Sequence, residues 1–111
     1  VTRTSGEQIS PLKVVFELNG QVFLTNPTLE SNVEQILGLT LTGVAEANLS
    51  LVVQVNGTVD DASWSWVAGP VYLAAAGTLT QAVPTSGWLV QVGSAPSAQR
   101  INLNFTEPTL L

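Results

Sequence analysis

The residues of this chain best suited to chemistry are a pair of acids and a group of tryptophans. Asp60 and Asp61 are adjacent, Trp64 and Trp66 follow them one residue apart, and Trp88 comes later. A glycosidase-type site needs two carboxylates held across a cleft, one of them with a pKa raised by burial. Neighbouring carboxylates on a strand point to opposite faces, so this pair is better explained as part of a turn.

A calcium site is a second interpretation of Asp60 and Asp61, because calcium binds carboxylate and carbonyl oxygens. No spaced series of aspartate and asparagine residues surrounds the pair, however. The chain also contains no histidine, cysteine or methionine, which removes the usual serine–histidine, thiol and zinc chemistries. We therefore expect no enzyme activity, no metal site and no cofactor.

The tryptophans have two interpretations. If residues 62–67 form a strand, the rings of Trp64 and Trp66 share one face, where they can stack on a sugar with Trp88 as a third ring. The alternative is that the rings pack in the core or at a subunit contact, with Tyr72 in the same apolar environment. The chain has three Trp, one Tyr and three Phe residues, so its core needs most of them. The second interpretation is therefore favoured.

Composition limits the classes of partner. The chain has 111 residues, of which 45% are hydrophobic and 10% charged, and its net charge is −5. This length suits one domain with a core of its own. Arg3, Lys13 and Arg100 are the only cationic side chains, so no basic surface for nucleic acid or for an anionic membrane can form. No apolar run is long enough to predict a membrane-spanning helix.

Short apolar runs separated by turn residues predict an all-β fold, either an antiparallel β-sandwich or a small β-barrel. Asn19-Gly20 stands between two such runs and predicts a hairpin with a type I′ turn, which needs positive φ at both positions. Gly38 and Gly93 lie inside later runs and predict bulges or close backbone contacts. The only helical tendency lies in residues 28–35, where we expect a single turn.

A weak internal repeat runs through these elements. A hairpin, a glycine-containing strand and a further strand occur twice along the chain. The turn glycines Gly20 and Gly77 are followed at nearly the same distance by the strand glycines Gly38 and Gly93. The pattern indicates a duplicated unit, although short β-strands also resemble each other by chance.

The two ends of the chain differ in character from the middle. Residues 1–11 are polar, lack a hydrophobic period and end at a proline, so they predict an extended N-terminal arm before a single β domain at residues 12–111. The last residues are apolar. Termini of this kind can reach neighbouring subunits, or they can simply fray. The terminal residues expected to act in assembly are Val1, Thr2, Arg3, Leu110 and Leu111.

Several motifs occur in an order that resembles a module common in the structural proteins of tailed bacteriophages. The resemblance covers about residues 12–111. Its downstream motifs are Trp64-Ser65-Trp66, Gly69-Pro70-Val71-Tyr72-Leu73, Gly77-Thr78-Leu79-Thr80-Gln81, Pro84-Thr85-Ser86-Gly87, Val92-Gly93, Ser97-Ala98, the alternating strand at 101–105 and the apolar end. Its upstream motifs are Val14-Val15, Ile36-Leu37-Gly38 and the glycine turn after Val55.

Such modules are found in head-decoration and head-fibre proteins and in tail-fibre or tail-tip proteins. The resemblance implies a non-enzymatic part of the virion, usually a homotrimer, that attaches to capsid or tail proteins through its termini. The leading expectation is a capsid-decoration or head-fibre domain that acts by oligomeric assembly. The alternative is a tail-fibre or tail-tip domain that binds a host glycan through exposed tryptophans. The resemblance carries no catalytic residues.

Overall fold

Almost every regular element of the chain is a β-strand, which confirms the predicted all-β fold. The computed structural model describes residues 1–111. The first half contains β1 Thr2–Ser5, β2 Val14–Leu18, β3 Gln21–Leu24, α1 Glu30–Val33, β4 Ile36–Thr40 and β5 Ser50–Gln54. The second half contains β6 Gly57–Asp60, β7 Gly69–Leu73, β8 Leu79–Thr80, β9 Trp88–Leu89, β10 Gln91–Ser97, β11 Arg100–Leu103 and β12 Thr109–Leu110. None of the helices has the length and apolar character needed to cross a membrane.

The β2–β3 hairpin turns at Asn19 and Gly20, as the sequence predicts. These residues have φ angles of 52° and 80°, and Leu18 pairs with Gln21 across the turn. Both angles lie in the left-handed region that a type I′ turn requires, which asparagine and glycine adopt more readily than other residues. The single helical turn expected within residues 28–35 is also present, as α1.

The first half closes into a five-stranded barrel in the order β1-β3-β2-β4-β5. Closure depends on β1, which pairs in parallel with β3 and antiparallel with β5. Residues 1–11 therefore do not form an arm separate from the β domain, because their strand β1 is a wall of the barrel and Ile9 is buried. The polar sequence of β1 conceals this role, since backbone hydrogen bonds to strands distant in the chain hold it in place.

The second half forms an open sheet in the order β6-β11-β10-β7-β8. All of its pairings are antiparallel. The remaining strands, β9 and β12, form a separate two-stranded sheet. The apolar run that contains Trp88 and Gly93 is thus divided at the fully buried Val90, and its two parts join different sheets.

The two halves share one topology, in agreement with the repeat seen in the sequence. In each half a hairpin follows the first strand, the glycine-containing strand pairs with the hairpin, and the last strand pairs with the glycine-containing strand and the first strand. Gly38 and Gly93 occupy equivalent positions beside a bulge. A Cβ on either glycine would collide with a carbonyl oxygen of the next strand. The pairing of β1 with β3 has no counterpart, so the second half stays open.

The barrel and the open sheet pack against each other through β2 and β4. Val14 and Leu39 belong to the larger core, which they share with Val71 and other residues of the open sheet. The next residue, Val15, belongs to the smaller core, whose other members, among them Val22, all come from the barrel half. Successive side chains of a strand point to opposite faces, so β2 is buried on both sides. This explains why its sequence is a continuous apolar run.

Candidate functional site

The segment 61–68, which carries two of the tryptophans, is a turn followed by irregular chain, so the strand considered at residues 62–67 does not form. Its backbone groups bond to loops and not to a neighbouring strand. The Trp64 N–H donates to the Asp61 carbonyl at 3.2 Å, and the Trp66 N–H donates to the Ala98 carbonyl, in the β10–β11 turn, at 2.9 Å. These bonds tie the segment to the end of the open sheet.

The side chain of Gln81 fixes the far end of this segment. Its amide oxygen accepts a hydrogen bond from the Val67 N–H at 3.0 Å, and its amide nitrogen donates to the Val67 carbonyl at 2.5 Å. One side chain thus satisfies both backbone groups of Val67, as a neighbouring strand would. The Val67 side chain itself is 75% exposed. The tryptophans therefore sit on a segment that is held at both ends.

The rings of Trp64 and Trp66 pack against the larger core. Their centroids lie 5.8 Å apart, and their planes are inclined by 51°. Both side chains are half-buried and contact the core cluster that contains Val71. The indole nitrogen of Trp66 is buried without a hydrogen-bond partner. Stacking on a sugar needs an open, flat face, so this geometry favours a structural role for both rings.

Trp88 and Tyr72 lie on other elements and do not join Trp64 and Trp66 in one flat aromatic surface. Trp88 begins β9, where it pairs with Leu110, and it also contacts the larger core. Tyr72 lies half-buried in β7. The ring contact between Trp64 and Trp66 reaches neither residue. Glycan binding stays a prediction, which a titration of tryptophan fluorescence with host polysaccharide tests.

Asp60 and Asp61 engage different partners. Arg100 lies opposite Asp60 on β11 and donates from Nε and Nη2 to its two carboxylate oxygens at 2.7 and 3.2 Å. These hydrogen bonds, together with the positive charge of Arg100, hold the pKa of the Asp60 carboxyl below its usual value. Asp61 accepts a hydrogen bond from the Ser63 hydroxyl. The lowered pKa of Asp60 is the opposite of what a general acid needs.

The calcium interpretation gains no support from the arrangement of the acids. No group of three or more acidic side chains comes together in a way that could hold a metal ion. The two oxygens of Asp60 are both occupied by the guanidinium of Arg100. The two acids therefore stabilise the end of β6 and the turn that follows it.

The N-terminal residues expected to act in assembly are part of the barrel. The Val1 ammonium donates to the Val53 carbonyl at 2.7 Å, and Thr2 pairs with β5. Arg3 Nε lies 3.1 Å from Glu17 Oε2 in an ion pair. These contacts hold the first three residues against the barrel, and their part in assembly stays a prediction.

The C-terminal residues, in contrast, lie on the surface. β12 pairs with β9 on one side and with no strand on the other. Leu110 lies opposite Trp88, and the Leu111 N–H donates to the Gly87 carbonyl at 2.9 Å. The side chains of Leu110 and Leu111 are nevertheless 66% and 49% exposed. The tail is an ordered edge strand that presents two leucines to solvent.

A groove that the sequence did not indicate lies between the end of α1 and the segment after β11. It is lined by Val33, Glu34, Ile36 and residues 105–108, and its volume is about 240 Å³. The two lining segments are distant in the chain, so no local motif could predict the groove. The tertiary fold alone brings them together.

The chain matches no protein-family model, no curated protein and no solved structure. The resemblance to bacteriophage modules therefore stays a prediction that rests on the order of motifs. Among the predicted site residues, the tryptophans pack on the core, Asp60 is held in an ion pair, and the leucines of β12 face solvent.

Proposed function

We propose that this chain is a structural domain of a tailed-bacteriophage particle, of the capsid-decoration or head-fibre kind, and that it acts by oligomeric assembly. The observation that carries the proposal is the exposed edge strand β12. An edge strand leaves unpaired backbone groups, and exposed leucines beside them favour burial against another chain. The order of phage-like motifs in the sequence supports the particle as the place of assembly.

The distribution of charge supports the same proposal. Arg3 and Arg100 are both engaged in ion pairs within the chain, and the charged fraction is 10%. Contacts between surfaces with few free charges depend on shape and on buried apolar area. This suits a permanent assembly better than a transient complex whose partners are steered together by charge. The expected assembly is a homotrimer.

Light scattering coupled to size-exclusion chromatography tests the assembly. We expect a trimer whose dissociation increases in the variant with both Leu110→Ser and Leu111→Ser, because each serine removes apolar area from the contact. Leu18→Ser is the matched control, since Leu18 is 52% exposed but lies at the end of the β2–β3 hairpin. A chain that stays monomeric at high concentration would contradict the proposal, as would equal dissociation in the control.

Labelling of intact particles tests the location. Gold-conjugated antibodies raised against the domain should decorate the heads of purified phage particles in electron micrographs. Labelling on tails would instead support the tail-fibre alternative. Particles that carry no label after mild disruption would count against a virion protein of either kind.

A further inference from the structure

The groove between α1 and the segment after β11 has an apolar floor and an acidic rim. We call its apolar lining residues, Val33, Ile36 and Phe105, the floor, and we call its two acidic lining residues the rim: Glu34 comes from the α1 side and Glu107 from the segment after β11. Val33 is buried, whereas Ile36 and Phe105 are half-buried against the larger core. The floor therefore belongs to the folded core and is present before any partner arrives.

The wall that carries Glu107 is held in place by its neighbour Thr106. The Thr106 N–H donates to the Gln91 carbonyl at 3.1 Å, and the Gln91 N–H donates to the Thr106 hydroxyl oxygen at 3.0 Å. On the α1 side, the floor residue Ile36 pairs with Phe16 in the barrel. Because both walls are fixed, a partner would not have to order the groove on binding.

The charges at the rim lack a cation within the chain. Arg3 and Arg100 form their ion pairs elsewhere, with Glu17 and Asp60, and the third cation, Lys13, forms no ion pair. Beside the groove, the Glu34 carboxyl shares a hydrogen bond with that of Glu30, and this bond and the nearby charge raise the pKa of Glu34 above its usual value. A positive group in the groove would stabilise the ionised form of the Glu34 carboxyl.

We propose that this groove binds an arginine side chain of a partner protein. The volume of about 240 Å³ is below the usual range for whole small-molecule ligands, roughly 300–1,000 Å³, and suits a single side chain. The arginine stem is apolar and packs on Ile36 and Phe105, with its guanidinium over the face of the Phe105 ring, while its donors bond to the carboxylates of Glu34 and Glu107. A metal ion fits less well, because the floor supplies no oxygen ligands and no group of three acids assembles here.

This inference deepens the proposed function and rests on it in one respect, since the partner would be a neighbouring particle protein. Its test uses the isolated chain and a synthetic peptide, so it can fail while the assembly proposal stands. The probe is acetyl-Ala-Ala-Arg-Ala-Ala-amide. Its control replaces arginine by citrulline, which has nearly the same shape but no charge, because a carbonyl oxygen stands in place of one guanidinium nitrogen.

Titration of the ¹⁵N-labelled chain with each peptide measures binding by NMR. We expect the arginine peptide to shift the amides of residues 33–36 and 105–107, and the citrulline peptide to leave them unchanged. The variant with Glu34→Gln and Glu107→Gln should bind about tenfold more weakly, because it loses two partly screened charge contacts. Raising the salt concentration should weaken binding to the native chain in the same direction.

Glu46→Gln is the matched control variant, since Glu46 is exposed and does not line the groove. The rim substitutions reduce like-charge repulsion and should leave the fold intact, which the amide spectrum of each variant verifies. The proposal is overturned if no amide shifts at about 10 mM peptide, if the citrulline peptide binds equally well, or if the rim variant binds as tightly as the native chain. Groove shifts that depend on protein concentration without peptide would also overturn it, in favour of a second copy as the occupant.

Discussion

Two buried threonines show how a single hydroxyl can stabilise or destabilise this protein. Thr25 and Thr40 are both fully buried. The Thr40 hydroxyl accepts from the Lys13 N–H at 3.0 Å and donates to the Ser10 carbonyl at 2.9 Å. The Thr25 hydroxyl has no partner. A buried hydroxyl without a partner has lost its hydration and gained nothing in exchange.

We expect Thr25→Val to raise the free energy of unfolding by about 1 kcal/mol and Thr40→Val to lower it by about 2 kcal/mol. Valine has nearly the shape of threonine, so the comparison isolates the hydroxyl. Urea denaturation of the native chain and both variants measures the difference. Destabilisation of equal size in the two variants would contradict the prediction, because it would mean that the Thr25 hydroxyl is also satisfied.

The ion pair between Asp60 and Arg100 predicts a pH dependence of stability. The hydrogen bonds from Arg100 lower the pKa of Asp60 in the folded chain, so ionised Asp60 stabilises the fold. That contribution is complete above the unfolded pKa and is lost as the pH falls through the folded pKa. Asp60→Asn should therefore be less stable than the native chain at neutral pH, and the difference should shrink below about pH 4.

Denaturation of both proteins from neutral to strongly acidic pH measures this difference. The effect should be small, because the pair is on the surface. Asp61→Asn serves as the control for the neighbouring acid, whose partner is the uncharged Ser63. A difference between Asp60→Asn and the native chain that stays constant down to low pH would argue against the ion pair as its cause.

At the scale of elements, β4 and β10 are equivalent strands that depend on glycine for the same reason. Gly38 and Gly93 each lie so close to the next strand that a Cβ would meet a backbone carbonyl, that of Gln54 or Asn102. A backbone group cannot move aside as the end of a flexible side chain can. The two strands would therefore have to separate from their neighbours β5 and β11 to accept any larger residue.

Gly93→Ala should lower the free energy of unfolding by about 1–3 kcal/mol, the usual cost of an added methyl group in a packed interior. Ser94→Ala, at the exposed neighbouring position, is the control and should change stability little. Guanidinium denaturation gives both values. A Gly93→Ala variant as stable as the control would show that the strand relaxes without loss, and would remove this explanation for the glycine.

At the scale of the whole molecule, the two halves are joined by strands that each face two cores. Val14 of β2 lies in the larger core and Val15 in the smaller one. Neither half can unfold without exposing the other's apolar surface. We therefore expect the barrel and the open sheet to unfold in one cooperative transition, although the topology repeats.

Val22→Ala tests this coupling, because Val22 is fully buried in the smaller core. The substitution should lower the free energy of unfolding by about 2 kcal/mol. Trp64, Trp66 and Trp88 belong to the second half and contact the larger core, so their fluorescence follows that part of the fold, while far-UV circular dichroism follows all strands. Both signals should shift to the same new midpoint. An unchanged fluorescence midpoint beside a shifted dichroism curve would show that the halves unfold independently.

Features that depend on a few neighbouring residues were predictable from the sequence. The type I′ turn at Asn19-Gly20 follows from the φ angles those residues tolerate. The glycines within β4 and β10 indicated close backbone approach, which is present in both. The place of β1 and the path of segment 61–68 were not predictable, because distant partners decide both. β1 pairs with β3 and β5, and the Gln81 side chain forms hydrogen bonds with the backbone N–H and carbonyl of Val67.

The sequence by itself determined that the chain is an all-β protein and indicated a duplicated arrangement of strands, since strand period and turn chemistry are local properties. Tertiary structure alone decided which strands close the barrel, where the tryptophan rings lie and that residues 33–36 meet residues 105–108. The physical reason is that one backbone group or apolar side chain can pair with many others, so its residue type does not specify which distant segment is its partner. The acidic groove and the exposed strand β12 arise from such distant contacts, and they are the surfaces to test first.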